Sequence, residues 1–130
     1  DMPYGSQTLW PDHCVMGTEG AAFHEDLIID HADLIIRKGF RRHIDSYSAF
    51  FENDQTTPTG LEGYLRNRSI QQLTVVGLAT DFCVRFSAQD AARLGFDVTV
   101  ELNLCRGIDM NHSLDEAITF MQRDGIQIKP

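Results

Sequence analysis

Leu73-Thr74-Val75-Val76-Gly77-Leu78-Ala79-Thr80-Asp81-Phe82-Cys83 is the stretch that decides the fold. Leu73 to Gly77 is a short apolar run with the β-branched content of a buried strand. From Phe82 to Leu94 the spacing turns helical. Thr80 and Asp81 ahead of it are good N-cap types, and Gly95 suits the position just past a helix end. A buried strand that feeds a helix within a few residues is half of a parallel crossover unit.

Working outward, the same alternation continues. Ala32 to Arg37 (ADLIIR) and Ile126 to Lys129 are expected strands. Phe96 to Leu102 (FDVTVEL) alternates more, as a strand nearer a sheet edge does. Thr59 to Arg68 places Leu61, Tyr64 and Leu65 on one helical face. Ser113 to Gln122 opens with a capping box, Ser113 followed three residues later by Glu116. Strands alternating with helices specify the α/β class with a mainly parallel sheet, in a single domain over residues 1–130. A sheet of four such strands is small, and parallel sheets are normally covered, so further strands from elsewhere are expected.

The composition is that of an ordinary globular domain, 42% hydrophobic and 23% charged, with a net charge of −8. An acidic surface repels phosphate backbones and anionic membranes. The one basic cluster, Arg37, Lys38, Arg41, Arg42 and His43, has no aromatic interleaving, so nucleic acid is not an expected partner. No apolar run reaches the roughly 20 residues of a membrane span, and no secretory signal is visible. The three cysteines, Cys14, Cys83 and Cys105, are odd in number and lack CxxC spacing. That pattern points away from a disulfide scaffold and toward a reducing, cytoplasmic setting.

In doubly wound sheets, sites form at the carboxyl ends of strands. Cys83 falls there, at the first turn of a helix, where free N–H groups and the helix dipole favour a thiolate and can hold an oxyanion. The alternative is a small buried apolar residue, the usual role of a free cysteine and the one expected for Cys14 and Cys105. A thiol nucleophile needs a base or a nearby cation. Lys38, just after Ala32–Arg37, is either that cation or a solvated strand-end lysine. The histidines form no HxH or HxxxH pair. His13 sits in a Pro11-Asp12-His13-Cys14 turn.

Three stretches in this order and spacing resemble nicotinamidases of the isochorismatase-like cysteine hydrolase superfamily. They are Trp10-Pro11-Asp12-His13-Cys14-Val15, Arg37-Lys38-Gly39 running on to Asp45-Ser46-Tyr47-Ser48-Ala49-Phe50, and Val76-Gly77-Leu78-Ala79-Thr80-Asp81-Phe82-Cys83-Val84. The resemblance implies a three-layer α/β/α fold and an amidohydrolase that converts nicotinamide, and its pyrazine analogue, to the acid and ammonia in salvage of NAD. It implies Cys83 as nucleophile and Lys38 as the triad lysine. It further implies a cis bond before Ala79, with the Ala79 and Cys83 N–H groups forming an oxyanion hole. Trp10, Tyr47 and Leu78 would border the substrate, and His13 would be one ligand of a divalent metal (zinc, iron or manganese).

The superfamily's catalytic aspartate lies in a D-x-Q-x-D-F motif, and its other metal ligands in a D-x-H motif; neither motif occurs here. The chain opens at Asp1 in a polar, turn-rich stretch, and the expectation is that an N-terminal portion of the same protein carries those motifs and the first strands. The expected partners are a small amide substrate, that N-terminal portion and, as an open alternative, a second copy in a homo-oligomer. Two other readings stand beside a nicotinamidase: a sister amidohydrolase without the metal, and a truncated or non-catalytic binding remnant.

Overall fold

The computed structural model describes residues 1–130. Its second half alternates helix and strand: α1 (Leu61–Asn67), β1 (Gln72–Leu78), α2 (Arg85–Arg93), β2 (Asp97–Arg106), α3 (Ser113–Arg123) and β3 (Gln127–Lys129). The strands form one sheet in the order β1-β2-β3, parallel at both pairings. This is the α/β arrangement with a parallel sheet that the alternation predicts. No helix is long and apolar enough to cross a membrane.

Two strand expectations need correction. Ala32–Arg37 forms no strand; its backbone is irregular, with Leu34 and Ile35 at 40% and 49% exposure. A strand needs a ladder partner, and these residues have none. They are held instead by single contacts, such as Tyr64 Oη donating to the Asp33 carbonyl at 3.1 Å. β2 is central rather than an edge, paired with β1 on one side and β3 on the other, so the sheet has three strands rather than four. Its alternation arises because its two faces differ in cover, not because one side lacks a neighbour.

Each helix passes the chain to the following strand by the same device. Just past α1, α2 and α3, Ser69, Gly95 and Gly125 turn left-handed, at φ 56°, 85° and 80°. Their N–H groups donate to the carbonyls of Arg66, Ala92 and Gln122 at 3.0, 2.9 and 3.1 Å. The next N–H groups, of Ile70, Phe96 and Ile126, reach back to Leu65, Ala91 and Met121 at 3.1, 3.0 and 3.0 Å. This paired Schellman pattern satisfies carbonyls that the helix ends leave without partners. Ile70, Phe96 and Ile126 all join the core.

That core lies between the helices and one face of the sheet. Val98 and Val100 of β2, Ala88 and Ala91 of α2, and Ala117 and Met121 of α3 are buried. Alanines at these helix positions let the backbones approach the sheet closely. On the other face Val76, Leu78 and Leu104 stay 47%, 73% and 61% exposed. Residues 6–44 hold one 3₁₀ turn, Glu19–Ala21, and otherwise run irregularly over the surface. Two arginines of the basic cluster find partners within the chain. Arg37 bonds the Ala21 carbonyl and stacks on Phe23, while Arg41 pairs with buried Glu52 at 3.7 Å.

Candidate active site

β1 ends at a bulge, where pairing with β2 shifts between Val75 and Gly77; Gly77 accommodates it at φ 116°, a conformation costly for other residues. The next peptide bond, Leu78–Ala79, is cis. Thr80–Val84 then forms a π turn, closed by Val84 N–H to the Ala79 carbonyl at 3.0 Å, and α2 follows from Arg85. Cys83 therefore sits in the wide first turn of a helix at the carboxyl end of a parallel strand. It is half-buried, Cys14 is exposed, Cys105 is buried, and all three are free thiols.

Lys38 reaches this turn from a distant part of the chain. Its Nζ lies 3.6 Å from Cys83 Sγ and also donates to the Ser46 carbonyl. The carbonyl anchors the ammonium, and the ammonium faces the sulfur. The strand expected to carry the lysine is missing, yet Lys38 still approaches Cys83. Ser87 Oγ completes the link between segments: it donates to the Cys83 carbonyl at 2.6 Å and accepts from the Ala49 N–H at 2.9 Å.

Asp81 does not cap the helix as its residue type predicts. Buried at 1% exposure, it reaches across to the connection after β2, where Oδ1 accepts from Ile108 N at 3.0 Å. Its Oδ2 accepts from Asp109 N at 2.8 Å and from Ser113 Oγ at 2.5 Å. Burial pushes its carboxyl upward, but the hydrogen bonds from Ser113, Ile108 and Asp109 outweigh that and hold it below the ordinary carboxylate range. Ser113 is thereby drawn away from the capping box that its spacing with Glu116 suggests; the N-cap residue His112 makes no side-chain cap bond, and the Leu114 N–H donates instead to Asp109 Oδ1 at 3.3 Å.

Aromatic side chains form one wall. Trp10 and Tyr47 both meet Phe82 edge-on, at 4.8 and 5.6 Å between ring centres, and Tyr47 leans on Phe86 at 5.4 Å. Trp10 Nε1 donates to Tyr47 Oη at 3.0 Å. A broad cleft of about 1720 Å³ brings together Trp10, His13, Lys38, Tyr47, Leu78, Ala79 and Cys83, every site residue expected from the sequence. It is wider than the roughly 300–1,000 Å³ of an enclosed ligand pocket.

His13 is exposed, with Nδ1 2.7 Å from the Pro11 carbonyl. An Nδ1–H bonded to a carbonyl leaves Nε2 as the lone-pair donor, which is how metal-ligating histidines are commonly oriented. No group of three or more His, Cys, Asp or Glu side chains is gathered to hold an ion. His13 thus fits one ligand position, and these residues by themselves do not make a metal site.

Sequence reasoning missed Phe82 as the pivot of the aromatic wall, and Gln7 and Asn53, which bond Tyr47. The aromatic character of Phe82, next to Cys83, was the one visible signal. The two amides carry none.

The model of the isochorismatase domain family matches residues 1–128. The chain belongs to the isochorismatase family. Within that family the nicotinamidase of Acinetobacter baylyi is 52% identical over 126 residues, covering 97% of this chain and 59% of the relative. The solved nicotinamidase/pyrazinamidase of Acinetobacter baumannii superposes with a TM-score of 0.97 at 55% identity, covering 99% of this chain and 62% of that one. The Pyrococcus horikoshii pyrazinamidase, solved in complex with zinc, has a TM-score of 0.77 at 32% identity, covering 92% of this chain and 62% of that one. This isochorismatase-family chain spans about three-fifths of the length of such relatives.

Proposed function

We propose that the protein carrying this chain hydrolyses nicotinamide to nicotinate and ammonia, accepts the pyrazine analogue, and serves NAD salvage in the cytoplasm. The observation that carries the reading is Lys38 Nζ at 3.6 Å from Cys83 Sγ, at the carboxyl end of β1. The names of the relatives supply the substrate class.

The thiolate of Cys83 attacks the amide carbon, and the C–N bond breaks as ammonia leaves with a proton. The lost thiol proton passes through a carboxylate base, which the family resemblance assigns to an N-terminal D-x-Q-x-D-F motif of the same protein. Water then cleaves the thioester, releasing the acid and regenerating the thiol. Lys38 opposes the sulfur's charge. The N–H groups of Ala79 and Cys83 are assigned to the oxyanion, where fixed donors act without reorganisation. Trp10, Tyr47 and Leu78 border the ring. His13 is assigned as one ligand of a divalent metal, zinc, iron or manganese, which when bound would hold the pyridine nitrogen. The remaining ligands belong to the N-terminal portion, and assembly as a homo-oligomer is part of the same proposal.

The test is ammonia release from nicotinamide, with carbamoyl and ureido compounds as competing substrates. Activity on nicotinamide, lost in Cys83→Ala with the fold retained, supports the reading. Substantial turnover by Cys83→Ala would refute the nucleophile, and preference for carbamoyl compounds would move the chain to a sister activity.

A further inference from the structure

Beside the aromatic wall, and lining the same cleft, Gln7 makes more side-chain hydrogen bonds than any residue of the wall itself. Its Nε2 lies 2.8 Å from Asp45 Oδ2, 2.9 Å from Tyr47 Oη and 3.0 Å from the Thr8 carbonyl. Its Oε1 accepts from Asn53 Nδ2 at 2.9 Å and from Tyr4 Oη at 3.3 Å. A carboxylate on one side and an amide NH₂ on the other fix the orientation of the Gln7 amide. Its partners reinforce one another. Asn53 Oδ1 accepts from Tyr47 N at 2.8 Å, Tyr4 Oη accepts from Asp45 N at 3.1 Å, and Asp45 Oδ1 accepts from Ser46 N at 2.7 Å.

The network holds residues 45–47, and so both the Tyr47 ring and the Ser46 carbonyl that anchors Lys38. Tyr47 Oη receives Trp10 Nε1 and Gln7 Nε2 together, so the two rings of the wall share one hydroxyl that Gln7 helps to fix. Asp45 is the one carboxylate bonded to Gln7; the titratable hydroxyls of Tyr4 and Tyr47 are its other ionisable neighbours.

We infer that Gln7 is a positioning residue of the substrate site, acting through Tyr47 and Trp10 to set the spacing of the aromatic wall for a planar ring. This deepens the proposed nicotinamidase reading and rests on it for the identity of the ring. Gln7→Ala leaves Asp45 Oδ2 and Asn53 Nδ2 without their partner and releases Tyr47. It is expected to raise KM for nicotinamide about tenfold while kcat stays within about threefold, since a wall that contacts ground and transition state alike contributes uniform binding. Gln7→Glu keeps the acceptor facing Asn53 and Tyr4 but sets a second carboxylate against Asp45. Its KM, taken as a ratio to the parent at each pH, should be raised near pH 8 and recover toward about pH 5 as the two carboxylates come to share a proton.

Trp10 is the single tryptophan of these 130 residues, so the emission that Trp10→Phe removes from the whole protein reports the wall without any turnover. In the whole protein, Gln7→Ala should shift that emission to the red and increase acrylamide quenching, with far-UV circular dichroism unchanged. Parent-like KM and quenching in Gln7→Ala would overturn the inference, as would a Gln7→Glu defect equal at both pH values. If the parent fails to hydrolyse nicotinamide, the proposed function falls, while the emission of Trp10 still decides the role of Gln7.

Discussion

Replacing Asp81 with Asn keeps the shape of the side chain and removes one acceptor and the charge. The parent carboxylate receives three hydrogen bonds while 1% exposed. Hydrogen bonds to a charged group contribute about 1.5–3 kcal/mol each, neutral ones about 0.5–1.5. With the Asn oxygen facing Asp109 and Ser113, two bonds drop to the neutral value, and the amide NH₂ meets the Ile108 N–H donor against donor. One bond lost and two weakened amount to about 4 kcal/mol, a large share of a typical 5–15 kcal/mol stability. The sign with pH follows from the depressed carboxyl. Its stabilisation is complete above the unfolded value near 3.9 and is lost as pH falls through the lower folded value. Urea unfolding of parent and Asp81→Asn at pH 7 should therefore show a gap of about 4 kcal/mol that narrows below about pH 4. A gap under about 1 kcal/mol at pH 7, or one that holds unchanged down to pH 3, would refute the clamp.

Lys38→Met should slow alkylation of Cys83 by iodoacetamide about tenfold, read by mass spectrometry with exposed Cys14 as the internal reference; equal slowing at both thiols would instead indicate a general change. Ser69→Gly should stabilise by about 0.5–1 kcal/mol, because a left-handed serine costs about 1–2 kcal/mol and glycine returns part of that gain as unfolded-chain entropy. An unchanged urea midpoint counts against it. Asp90 is 1% exposed, and burial raises its carboxyl, opposed in part by Ser48 and by Arg93 at 2.9 Å. A raised folded value means that its stabilisation is complete below the unfolded value and is lost as pH climbs through the folded one. Asp90→Asn should hold or raise the melting temperature at pH 7 and show no advantage near pH 4; calorimetry showing a fall equivalent to more than about 1 kcal/mol at pH 7 counts against it.

What the sequence disclosed was local. The run Leu73–Gly77, the helix ending before Gly95 and the final strand near Ile126 appear within a residue or two of their expected bounds, because periodicity and end residues act over a few positions. What failed was decided at long range. Ala32–Arg37 has the apolar content of a strand but no neighbour to pair with. Asp81 and Ser113 have the residue types of helix caps, yet they bond each other across 32 positions, and that buried contact outcompetes a solvent-exposed cap. The site divides in the same way. The Cys83 turn was legible from its strand-to-helix context and the Lys38 position from the family motif, although 45 residues separate them. Gln7 lies in a polar stretch where a glutamine carries no local signal, and its bonds to Asp45, Tyr47 and Asn53 exist only in the folded arrangement.

The three matching helix ends bear on where this architecture can change length. Phe96 and Ile126 sit directly before Asp97 and Gln127, and Ile70 two residues before Gln72, so the phase of every strand is locked to the helix preceding it. One residue inserted at any of these junctions would turn the next strand's buried set toward the opposite face. The connection from β2 to α3, residues 107–112, has no such lock, being fastened chiefly by the Asp81 carboxylate. Growth and loss of sequence are thereby confined to the rim that holds Cys83, leaving the far rim as fixed scaffolding against which new loops can be tried.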